Sequence, residues 1–150
     1  MIRKLLIAGL ALSAALAGCA SEPPTAGELL AFEAVCDRAN DGKRLAVEGY
    51  LLLPDEFTDS ESVVLRLYQE LDLDAARIGV TVRFGSQANQ IDEVPTSYSD
   101  DDLKIHLTDG STIGYDTRVR VSGKVYFPIV AQDDFTCGLE NPLIELASGG

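Results

Sequence analysis

Two stretches of the chain, Val47-Glu48-Gly49-Tyr50-Leu51 and Val121-Ser122-Gly123-Lys124-Val125, alternate apolar with other residues around a central glycine. A period of two sends successive side chains to opposite faces, so each stretch reads as a strand with one face buried. A glycine in mid-strand marks a bend, a bulge or the close approach of another backbone. Two long strands that both need such a bend suit a strongly coiled sheet closed on itself. β-Branched and aromatic residues in alternating register predict strands at Leu45–Leu53, Val63–Glu70, Ile78–Phe84, Leu103–Leu107, Thr117–Phe127 and Leu143–Leu146.

The segment ahead of these strands has a different period. Thr25-Ala26-Gly27-Glu28 fits a capping box, and Leu29, Phe32, Cys36 and Ala39 recur at helical spacing. This predicts an amphipathic helix over 26–39 that turns Cys36 toward the core. Between Ser86 and Asp102 the composition becomes polar, with Pro95 and a run of acids, which predicts a mobile loop. One helix followed by five or six strands defines a mainly β fold, a small Greek-key barrel forming a single domain over 27–150.

The pattern resembles the OB-fold domains of exported bacterial proteins. The residues that carry the resemblance are the leading helix, Gly42-Lys43 followed by Leu45-Ala46-Val47-Glu48-Gly49, and Thr117-Arg118-Val119-Arg120-Val121-Ser122-Gly123-Lys124-Val125. It covers most of the chain after the leader, although the acidic segment from Ser86 to Asp102 has no counterpart in it. The resemblance implies an OB-like barrel and no particular activity, because such barrels host many unrelated binding tasks.

The first eighteen residues read as an address. Arg3 and Lys4 precede the apolar run LLIAGLALSAALA, too short to span a bilayer, and small residues follow, as in a secretory signal peptide over 1–18. Leu16-Ala17-Gly18-Cys19 resembles the lipobox of bacterial lipoproteins. That resemblance implies acylation of Cys19, such as by palmitate, and an anchor that is effectively permanent at about 0.8 kcal/mol per buried methylene. Ala20 in place of an aspartate implies the outer membrane, facing the periplasm. Residues 19–26 then form a short polar tether kept extended by Pro23 and Pro24.

Beyond the leader, ten basic residues stand against 24 acidic ones, a net charge of −14. Such a balance disfavours nucleic acid and anionic membrane surfaces as electrostatic partners. With Cys19 acylated, Cys36 and Cys137 are the two remaining thiols in an oxidising compartment, and one disulfide between them is expected.

Chemistry-bearing patterns are sparse. Asp37, Asp41, Gly42 and Glu48 occupy positions 1, 5, 6 and 12 of a calcium-loop pattern, but position 3 is Ala39 and Glu48 falls in a strand, so no metal is expected there. Asp72 with Asp74, and Asp100-Asp101-Asp102, read as solvated loop faces. His106, the chain's one histidine, has no second histidine to share a metal and points away from Ile105 and Leu107. No nucleophile elbow, phosphate loop or zinc pattern occurs, so neither an enzyme nor a cofactor is expected.

The period-two rule places Tyr50, Arg66, Tyr68, Arg83, Arg118, Arg120, Lys124 and Tyr126 on the outer face of the sheet. Guanidinium groups beside aromatic rings suit carboxylates, phosphates and sugars, so these eight residues form the candidate ligand face. The competing expectation is that the cations pair with Glu48, Glu70 and neighbouring acids across strands. The expected role is a non-catalytic binding or assembly module for an envelope protein partner. The alternative is a sensor for a small anionic ligand or a cation, and a hydrolytic enzyme comes third.

Overall fold

The computed structural model describes residues 22–72, 77–131 and 134–149. The leader, Cys19 and Asp74 lie outside the described residues. Nine strands form one sheet: β1 (Glu28–Leu29), β2 (Arg44–Leu52), β3 (Ser62–Tyr68), β4 (Arg77–Phe84), β5 (Gln90–Ile91), β6 (Ile105–His106), β7 (Thr112–Ile113), β8 (Val119–Tyr126) and β9 (Gly138–Leu146).

Five of them close a barrel. β2 pairs antiparallel with both β3 and β8, β3 with β4, β8 with β9, and β4 with β9 in parallel, so the order around the barrel is β2-β3-β4-β9-β8 and back to β2. This is an OB-like Greek-key barrel. The alternation read from the sequence fills its interior: Leu45, Val47, Leu51, Val63, Leu65, Leu67, Ile78, Val80, Val82, Val119, Val121 and Val125 are all buried. Ile91, Leu103, Ile105 and Leu107 join this core from β5, β6 and their flanks.

Gly49 shows why β2 needs a glycine. The residues before it pair with β8 and those after it with β3, so one strand serves both sides of the barrel. A Cβ at Gly49 would stand 2.1 Å from the Tyr68 carbonyl oxygen, a distance no side chain can tolerate. Gly123 lies at the register break between Ser122 and Lys124, opposite the extra residues of β9.

Three expectations are corrected. The continuous helix over 26–39 does not form: the segment holds β1, a 3-10 turn at Phe32–Ala34 and another at Arg38–Asn40. Local side chains compete for its backbone, since Asp37 accepts the Ala39 amide and Asn40 donates to the Ala34 carbonyl. Leu29 and Ala39 are consequently exposed, while Val35 enters the core. Next, the segment from Ser86 to Asp102 is not a plain loop, because β5 pairs with β4 and β6, Ile91 is buried, and Ser99 and Asp102 form a capping box. Last, the final strand starts at Gly138 rather than Leu143. A bulge at Asn141, whose φ is +49°, lets the strand run through Pro142.

Cys36 and Cys137 form a disulfide with Cα atoms 5.4 Å apart, closing a separation of 101 residues. It joins the irregular lead-in segment to the residue before β9, and the Cys137 carbonyl accepts the Gly79 amide of β4.

Candidate functional site: an aromatic and proline-lined cleft

A cleft of about 350 Å³ lies between the 53–61 loop, which joins β2 to β3, and the segment that follows β8, with Ser62, Val63, Val64 and Arg66 of β3 along it.

The register builds the surface beneath two of its aromatic rings. Arg66 of β3 pairs with Gly79 of β4, Gly79 with Gly138 of β9, and Gly138 with Tyr126 of β8, so one row across four strands reads Arg66-Gly79-Gly138-Tyr126. Both glycines lie beneath aromatic rings. A Cβ at Gly79 would stand 2.9 Å from the Phe135 ring, and one at Gly138 would stand 2.3 Å from Cζ of Tyr126. Missing side chains thus let two rings lie flat on the sheet. Over Phe135, at 4.9 Å from its centroid, sits the Arg66 guanidinium, which donates to Asp134 at 2.5 Å and to the Val64 carbonyl. Arg66 is committed to a carboxylate and a ring, which leaves it poorly placed to capture a free anion.

The wall from the 53–61 loop is braced from behind. The Phe57 ring packs 4.6 Å from Tyr98 and 6.0 Å from Phe84, and the Tyr98 hydroxyl donates to the Pro54 carbonyl at 2.6 Å. Burial raises the Tyr98 pKa above the ordinary phenol value, with Asp55, Glu56 and Asp100 adding in the same direction. The rim is acidic, since Glu56 and Asp59 both line it. The Asp59 carboxylate accepts the Glu61 amide and the Ser62 hydroxyl at 3.0 Å each, which holds its pKa below the ordinary value. Pro54 and Pro128 complete an apolar and aromatic interior.

The eight residues expected on one face do not share one surface. Arg120 and Lys124 stand on β8 and Arg118 just before it; Glu48 takes Arg120 at 3.0 Å and Arg118 at 3.8 Å, and Glu140 takes Lys124 at 3.6 Å. Cross-strand pairing therefore engages these three. Tyr68 is buried, its hydroxyl accepting from Arg77, and its strand partner Tyr50 is half-buried. Arg83 lies at the far end of β4 in a separate cleft. Of the eight, Arg66 and Tyr126 meet in the cleft beside the 53–61 loop. Phe57, Phe135, Pro128 and the two glycines were missed by the sequence reading. The available signal was Gly79, a mid-strand glycine of the same kind as Gly49 and Gly123.

Three of the acids that suggested an ion site bond within the chain itself. Asp100 accepts the Leu53 amide, Asp102 accepts the Ser99 amide, and Glu48 stands in β2 bonded to Arg120. His106 pairs with Asp92 at 2.6 Å. Thr58, Ser62 and Tyr126 line the cleft, and His106 lies outside it. Compared with known proteins, the chain matches no family model, no curated protein and no solved structure.

Proposed function

We propose that this chain is a lipid-anchored, extracytoplasmic binding module of the bacterial cell envelope, exported by the 1–18 leader, held by an acyl group on Cys19 and facing the periplasm from the outer membrane. Its task is non-catalytic: the cleft between the 53–61 and 127–137 loops takes an extended segment of an envelope protein partner. One observation carries this reading: the rings of Phe57, Phe135 and Tyr126 line one cleft together with Pro54 and Pro128, and two of those rings are seated over Gly79 and Gly138. Extended peptides bind through such aromatic and proline-lined grooves, where ring faces supply contact area at little entropic cost. The engagement of Arg66 by Asp134 and the acidic rim weigh against a small anionic ligand.

In-cell photo-crosslinking from Thr58, on the cleft wall, tests this. A discrete protein adduct that disappears with Tyr126→Ala supports the cleft as the partner site. Absence of any adduct while the protein is folded and abundant overturns it.

A further inference from the structure

The segment ahead of the barrel is fixed to the barrel. Arg44, at the start of β2, donates from Nε to the Thr25 carbonyl at 2.5 Å and from one terminal nitrogen to the Asn141 carbonyl at 3.0 Å and the Ser122 carbonyl at 3.5 Å. One guanidinium therefore joins the lead-in segment to β8 and β9. Gly27 then presses on β2, since a Cβ there would lie 2.5 Å from the Leu45 carbonyl carbon, and β1 pairs in parallel with β2 from Glu28 onward. Upstream of the clamp, Pro23 and Pro24 line a cleft of about 440 Å³ together with Arg83, Gln87 and Asn141. The chain reaches this surface by Glu22.

Three peptide steps separate Glu22 from Cys19, a span of at most about 11 Å even when fully extended. We infer that the Arg44 clamp fixes how the barrel meets the membrane: the surface around Arg83, Gln87 and Asn141 lies against the lipid headgroups of the bilayer that holds the anchor. This rests on the acylation of Cys19 proposed above. Charge favours the same surface. Glu22 is the sole acid lining that cleft and Arg83 the sole base, the rest being amides, prolines and small residues. In a polypeptide carrying −14 beyond its leader, this is a patch that an anionic bilayer repels little. Thr81 lines the same cleft, and its hydroxyl lies 3.4 Å from that of Tyr126, so this surface adjoins the proposed partner cleft.

The test uses the full chain, purified with its anchor and placed in vesicles of phosphatidylethanolamine and phosphatidylglycerol. A fluorophore is attached through Gln87→Cys or, at the opposite end of the β3–β4 pair, through Leu71→Cys, and quenching by a headgroup-borne quencher is compared. Stronger quenching at position 87 by severalfold is expected, and equal quenching overturns the inference. Arg44→Ala should erase the contrast. Because that variant can also disturb folding, a second variant carries a flexible insertion between Ala20 and Ser21, which leaves the barrel untouched and should erase the contrast too. A contrast that survives the insertion overturns the role of the short span. Intact mass reports acylation separately: a preparation without acyl mass refutes the anchor itself rather than the orientation.

Discussion

Gly138 lies beneath the ring of Tyr126, so close that a single added carbon would stand 2.3 Å from the ring. Gly138→Ala therefore has to push the ring off the sheet or shift β9. The expected cost is about 1–3 kcal/mol, as for other overpacked sites, read from urea unfolding. Adding Tyr126→Ala should remove most of that cost, because the clash needs both side chains. Two penalties that simply add would show that the ring is not what the alanine meets.

The disulfide closes a separation of 101 residues, and the chain-entropy account ties its contribution to that length. Replacing both Cys36 and Cys137 by serine should lower stability by about 2–5 kcal/mol. Urea midpoints of the oxidised protein and the double variant check this, and coincident midpoints would refute it.

Tyr98 couples the Ser86–Asp102 segment to the cleft wall through its bond to Pro54. Tyr98→Phe should cost about 0.5–1.5 kcal/mol, the usual net worth of one hydrogen bond. Burial raises the folded pKa of this phenol. Its stabilising contribution is accordingly complete below the unfolded value, near 10, and is lost as pH rises through the folded one. Alkaline titration of phenolate absorbance in wild type and Tyr98→Phe should differ by one late-ionising group.

Asp59 runs the opposite way. Its carboxylate is held low first by the Glu61 amide and then by the Ser62 hydroxyl. A depressed folded pKa adds stability above the unfolded value, near 3.9, that is lost as pH falls through the folded one. Carbon-13 NMR of the carboxyl should find Asp59 titrating below that range, and Ser62→Ala should move it partway back. An unchanged titration in Ser62→Ala would remove the hydroxyl from the account.

The barrel was legible because inward positions such as Val47, Leu65, Val80 and Val121 announce themselves by a strict period of two, and burial enforces it. The helix over 26–39 was misread because Leu29, Phe32 and Cys36 mimic a helical stripe, while the local bonds of Asp37 and Asn40 that defeat it leave no periodic trace. The cleft was half legible. Arg66 and Tyr126 could be placed on the outer face, but their meeting depends on the register of β4 against β9, whose members are nearly sixty residues apart. No local pattern encodes such a pairing. The same limit explains why eight outward residues looked like one face: alternation gives inside or outside, and a closed barrel has an outside all the way round.

The seam between β4 and β9 decides when this molecule can become a barrel at all. It consists of Gly79 with Gly138 and Val80 with Leu139, and it joins β4 to the last of the described strands. Until the final strand arrives, β4 and β8 each keep an open edge, and Cys36 has no Cys137 to meet. Long-range closure of this kind is slow, because chain entropy must be spent before its contacts form. In a chain exported N-terminus first, as proposed above, neither seam nor staple can form until the chain has crossed as far as β9.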